Sequence, residues 1–197
     1  MMEHVRYEHL LIFGSFMVAA WYIVICFLPS MVLYVYKRAL LVKGFGDGPV
    51  QVNTLYMQPQ AIFADPLQAS GSKLSTTGVN RDTLLTIGWL DLSKGPQILR
   101  VPDMAGRYYS VQFTDPSKNT NFAYVGKRTT GTESGDYLIS GPAWKGDVPQ
   151  GVSQISSPNN SVLVIGRVLV YSDSDLPTAY GLAKQIQLAS LKFTGII

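Results

Sequence analysis

The sequence predicts an all-β sandwich or small barrel with one C-terminal helix, preceded by a single N-terminal transmembrane helix. Three observations carry this. Leu10 to Tyr36 is a run of 27 positions without a charge. From residue 84 onward, short runs rich in Val, Ile, Tyr and Thr alternate with turn residues. After Pro177, apolar residues recur at helical spacing.

The charge-free run is long enough to cross a hydrocarbon core, which takes about 20 apolar residues. Its membrane-anchor residues are read as Leu10, Trp21, Pro29, Tyr34, Tyr36, Lys37 and Arg38. Tyr34 and Tyr36 stand where aromatic rings straddle headgroups, and Lys37 and Arg38 are placed to snorkel to phosphates. A second register is also compatible: Leu10–Leu28 spans and Pro29 marks the exit. The run is apolar on all sides, which argues against a buried core helix. Glu3 and Glu8 near the start, with no small-residue cleavage site after the run, argue against a cleaved signal peptide. Three bases follow the run within seven residues, so the positive-inside tendency puts the domain on the cytoplasmic side.

Residues 1–43 form the anchor and its basic flank, 44–79 a Gly/Pro hinge and extended arm, and 80–197 the β-rich domain. Gly44-Phe45-Gly46-Asp47-Gly48-Pro49 reads as a hinge, and with Pro29 it predicts a bent, adjustable link. Residues 50–79 show little periodicity.

The strand candidates are 84–90, 97–101, 108–114, 122–126, 137–140, 153–156 and 162–171. Val101, Tyr109, Val111 and Phe113 illustrate their alternation. Thr132–Gly135 reads as a hairpin loop. The helix is capped by Asp173 or Ser174, with Pro177 in its first turn. Leu176, Ala179, Tyr180, Ala183 and Ile186 fall on one face, which should pack on the sheet.

Composition narrows function. Residues 1–43 carry a net charge of +2, and the rest balances twelve bases against eleven acids. The bases are dispersed, so no nucleic-acid partner is expected. The one cysteine, Cys26, lies inside the apolar run, and both histidines, His4 and His9, precede it. A Ser-His-Asp triad, a Cys-His pair and a His/Cys zinc site are therefore not available to the domain. No phosphate-binding glycine loop is present. No catalytic residue, metal or cofactor is expected. Asp82, Asp91, Asp103, Asp115, Glu133, Asp136 and Asp147 leave carboxylate chemistry open, though Asp103 and Asp115 adjoin prolines at turn positions. Asn159-Asn160-Ser161 matches the glycosylation sequon.

A set of ordered blocks resembles one known family. Asn80-Arg81-Asp82-Thr83-Leu84 and Trp89-Leu90-Asp91-Leu92 are similar to its opening signature, and Val101-Pro102-Asp103-Met104 with Arg107-Tyr108-Tyr109 to its next block. Arg128-Thr129-Thr130-Gly131, Gly135-Asp136-Tyr137 and Gly141-Pro142-Ala143-Trp144-Lys145-Gly146 resemble the third block, and Ser157-Pro158 with Gly166-Arg167 the last. This is the domain-of-unknown-function family 1254, found in bacteria, algae and large algal DNA viruses. The resemblance covers roughly half of the chain and implies an all-β barrel or sandwich without a known catalytic mechanism. Leu85 stands where the family often has Tyr. Members usually continue into a companion β domain (family 1214), which is expected to be absent from this protein.

Arg81, Asp82, Arg107, Arg128 and Arg167 lie in the matching blocks and form a candidate polar pocket for an anionic ligand. Each arginine alternatively bonds a turn carbonyl or a nearby Asp. The anchor and the viral branch of the resemblance together point to a non-enzymatic tether. The specific expectation is a minor capsid protein of a large DNA virus, joining an internal membrane to the shell. Its partners are then the lipid bilayer and other proteins of the assembly. The alternatives are an envelope-anchored ligand-binding protein or enzyme, and an accessory subunit of a cellular membrane complex.

Overall fold

The computed structural model describes residues 2–43, 48–57 and 82–191, with side chains from residue 12 onward within the first of these. Its first element is a continuous helix, α1 (Met2–Val42), that runs through Pro29. The helix therefore continues past the charge-free run. Lys37-Arg38-Ala39-Leu40-Leu41 are all strong helix formers, so nothing local stops it there. The hinge at 44–47 and the arm at 58–80 lie outside the described residues, and so does Arg81.

Among the described residues nine strands follow: β1 (Leu55–Met57), β2 (Thr83–Asp91), β3 (Gln97–Val101), β4 (Tyr109–Asp115), β5 (Thr120–Gly126), β6 (Gly135–Ser140), β7 (Val152–Ser156), β8 (Ser161–Leu169) and β9 (Gln187–Ser190). All seven strands expected from the sequence are present. They form two sheets, β1-β2-β8-β4-β5 and β7-β6-β3-β9. The first is antiparallel throughout, and the second has one parallel pair, β6 with β7. Neither sheet closes on itself, so the fold is a sandwich and not a barrel.

Thr132–Gly135 does not join a hairpin. β5 pairs with β4 in the first sheet, while β6 pairs with β3 and β7 in the second. The loop therefore carries the chain from sheet to sheet, held by a Met104 N–H to Thr132 carbonyl bond of 2.8 Å.

Alternate residues of the strands fill the space between the sheets, including Leu84, Leu90, Leu99, Tyr109, Val111, Phe113, Ile139, Val162 and Val164. Helix α2 (Leu176–Gln185) adds Leu176, Ala179 and Ala183, followed by Ile186. Pro177 sits in its first turn, where a missing N–H costs no helical bond. The helical face expected from the sequence is the face that packs.

A second, smaller cluster lies on the outer face of the first sheet. Leu40 and Val50 pack there on Ile87, Trp89 and Leu163. In consequence β2 is buried on both of its faces around residues 86–90.

Candidate functional site

The outer face of the first sheet is divided. Over β1, β2 and β8 it is apolar and covered by the end of α1. Over β4 and β5 it is polar and open.

On the apolar side, Leu33, Tyr36, Leu40 and Leu41 of α1 meet Tyr56, Ile87, Trp89, Leu163 and Ile165. These helix positions recur at three- and four-residue intervals, so they share one face. Lys37 lies on the same face. Its Nζ donates to the Ser161 hydroxyl at 3.2 Å and stands 5.0 Å from the centre of the Trp89 ring. The indole N–H of Trp89 donates to the same hydroxyl at 2.7 Å. Tyr36 and Lys37 thus engage the domain, whereas Trp21 and Tyr34 stay 67% and 63% exposed. Arg38 is exposed, and the Leu10 side chain is outside those described.

The returning chain is fixed to the same place. The Val50 N–H donates to the Leu40 carbonyl at 3.2 Å, and the Asn53 N–H to the Trp89 carbonyl at 2.9 Å. Asn53 adopts a positive φ of 64°, which Asn tolerates better than most residues. Its side chain accepts from the Asp91 N–H at 2.8 Å and donates to the Asp91 carbonyl at 3.2 Å. That bridging starts β1 along β2. Gly88 is required beneath it, because a Cβ there would lie 2.6 Å from the Thr54 carbonyl oxygen.

Of the expected polar pocket, Arg81 lies outside the described residues, and Asp82, Arg107, Arg128 and Arg167 are placed apart from one another. Arg107 is 7% exposed and committed to an internal ion pair. Its two terminal nitrogens bond the two oxygens of Asp175 at 2.6 and 2.7 Å, and Nη1 also donates to the Leu169 carbonyl at 2.8 Å. The Tyr171 ring lies 4.7 Å from the guanidinium carbon. The Arg107 guanidinium, aided by the Tyr171 N–H, lowers the Asp175 pKa from 3.8 to about 2. This pair joins the β3–β4 loop, the end of β8 and the start of α2.

Arg128 stacks over Tyr108 at 5.4 Å and lines a shallow pocket of about 220 Å³ with Ser110, Tyr124 and Thr129. Arg167 is exposed on β8 and pairs across the sheet with Ser110 and Leu85. Asp82 is exposed, and its carbonyl accepts from the Val170 N–H at 2.8 Å. Below the pocket runs an amide and hydroxyl network: Gln112 and Thr114 donate to Asn121, which donates to the Tyr124 hydroxyl at 2.7 Å.

Several carboxylates serve the backbone. Asp103 accepts from the Ala105 N–H at 2.8 Å, as its turn position predicts. Asp91 accepts from the Ser93 hydroxyl and N–H, which lower its pKa. Burial pushes the Asp115 carboxyl up, but hydrogen bonds from Ser117 and Asn159 outweigh it and the net shift is downward. Asp136 meets Arg100 at 3.5 Å. Asn159, the sequon asparagine, donates to Asp115 at 2.6 Å and to Ser117 at 3.1 Å, so its amide is engaged within the fold. Among the described residues no three His, Cys, Asp or Glu side chains are grouped to hold a metal ion.

The sequence resemblance extends over this whole framework. Residues 53–190 match the family model described as "Protein of unknown function (DUF1254)". The chain belongs to the DUF1254 family. The match begins at Asn53, two residues before β1, and ends at Ser190, the last of β9, so the family unit takes in every described strand of the sandwich. A crystal structure of a Vibrio parahaemolyticus protein is similar over 57% of this chain, with 33% sequence identity and a TM-score of 0.54. The chain spans 29% of that protein's length. A putative uncharacterized protein from Burkholderia cenocepacia is similar over 60% of this chain and 32% of its own, at 11% identity and a TM-score of 0.40. No curated protein matches the chain in sequence.

Outside the DUF1254 sandwich, residues 12–42 of α1 form one helix long and apolar enough to cross a membrane. Its most apolar window is not buried by the rest of the chain.

Proposed function

We propose that this DUF1254 protein is a non-enzymatic, membrane-tethered docking module. The observation that carries the reading is the passage of α1 from an apolar, uncovered segment into a face held by Ile87, Trp89 and Leu163. A helix docked this way transmits the position of the bilayer to the sandwich. The stretch from Ile12 to Met31 spans about 30 Å at the helical rise, which matches a hydrocarbon core. The domain then stands at the membrane surface, on the cytoplasmic side if Lys37, Arg38 and Lys43 follow the positive-inside tendency.

The polar half of the sheet face, from Ser110 to Tyr124, is the surface left open for a protein partner. For the identity of that partner, the viral branch of the resemblance is the support for a minor capsid protein linking an internal membrane to a shell. The test is purification of the full chain in mild detergent and identification of what remains bound. Co-purifying coat or assembly proteins support the docking role. Recovery as a lone monomer that turns over a small molecule would overturn it.

A further inference from the structure

The end of the sandwich nearest α1 carries a second feature that the anchor alone does not explain. Hydrogen bonds bind four loops into one surface there. The Leu92 N–H donates to the Asn160 carbonyl at 2.8 Å, the Ser157 N–H to the Ser140 carbonyl at 2.8 Å, and Asn159 reaches Asp115 and Ser117. Gly141 lies against Asn160 and Leu92. Ser161, next in the chain, accepts from Lys37 of α1. The loops around 92–96, 115–119, 141–150 and 157–160 are therefore gathered beside the helix where it leaves its apolar segment. From Ser30 to Lys37 the helix rises only about 10 Å.

This surface presents Lys94, Lys118 and Lys145, all exposed and none in an ion pair among the described residues. It also presents Trp144, whose ring folds over Gly146, where a Cβ would lie 2.8 Å from the indole. Of the acids in these loops, Asp91 and Asp115 are turned inward to their own loop donors, and Asp147 is the one left exposed. Long basic side chains beside a tryptophan suit the boundary between headgroups and acyl chains.

We infer that the loop end bearing Lys94, Lys118, Trp144 and Lys145 is a second membrane-contact surface that lies on anionic phospholipid headgroups. This rests on α1 being membrane-inserted. These four contacts beside a docked helix fix the tilt of the sandwich.

The test uses the full chain with Cys26→Ser and a fluorophore on Ala143→Cys or, at the opposite end, on Glu133→Cys. Each is reconstituted into phosphatidylcholine vesicles with or without phosphatidylglycerol, containing lipid with a headgroup nitroxide. Quenching at 143 should exceed that at 133 and rise with the anionic lipid. Each lysine should contribute about a fivefold preference for the anionic surface. Lys94→Gln, Lys118→Gln and Lys145→Gln together should abolish the dependence on phosphatidylglycerol while the chain stays inserted. An inserted chain with equal quenching at both labels, or a triple variant that keeps the lipid dependence, overturns this inference alone. A chain extracted from the vesicles by carbonate overturns the membrane tether and this inference with it.

Discussion

The two halves of α1 are built from similar residues and meet different surroundings. Between Ile12 and Leu28 every large apolar side chain is about half exposed or more, on all sides of the helix. Between Leu33 and Leu41 one face is taken up by the sandwich, and Leu40 is 2% exposed. The difference lies in what is opposite: a sheet face with Trp89 and Ile87, or nothing from this chain. A single apolar stretch thus meets two surroundings in series, and the boundary falls near Pro29 and Ser30, before the charges that end the run.

The largest test of this division is truncation. Removing residues 1–28 should leave a soluble, folded sandwich with its sheet still covered. Removing 1–43 uncovers Ile87, Trp89 and Leu163, at a cost on the order of 1.5–3 kcal/mol for each large side chain returned to water. Chemical denaturation and light scattering should show the longer truncation to be much less stable and prone to self-association. If both behave alike, the docked half contributes nothing.

A charge in the first half should separate insertion from folding. Val18→Arg is expected to cost about 3 kcal/mol of insertion. Carbonate extraction should then release the protein, while thermal unfolding of the sandwich stays unchanged.

Acid should separate the junction from the far end of β8. Asp175 has a depressed pKa, so its contribution is complete above its ordinary value of 3.8 and is lost as pH falls toward about 2. The expected loss is about 2 kcal/mol across that window. Asp175→Asn should remove the pH dependence. The junction is held by Lys37, Ser161 and Trp89 with no carboxylate in the contact, so fluorescence of Trp89 should not follow the same transition.

The smallest effect is expected from Lys37→Met. It removes one hydrogen bond and the cation over Trp89 but keeps the aliphatic stem on the sheet, for a loss of about 0.5–1 kcal/mol.

Much of the sandwich was legible in the residues. The seven longer strands have alternation and turn punctuation, and α2 has a proline and an apolar face; the cap expected at Asp173 or Ser174 falls instead on Asp175, whose side chain makes no capping bond because it is turned to Arg107 and the Tyr171 N–H. β1 and β9 were not legible. Leu55–Met57 is three residues long and depends on the Asn53 bridge to Asp91, while Gln187–Ser190 has no β-branched residue and is a strand because β3 offers it an edge. The course of the 132–135 loop was equally hidden, since turn chemistry does not say which sheet the next strand joins. The internal ion pair of Arg107 was hidden for a similar reason: its partner Asp175 lies 68 residues away.

That a long apolar helix exists could be read from the residues alone, because length and the lack of charge are local facts. Where that helix stops being bare depends on how the chain folds back on it. Its docking face at 33, 36, 37, 40 and 41 has little polar contrast on the opposite side, so periodicity cannot reveal it. It becomes visible only when an apolar strip of β2 and β8 is placed against it.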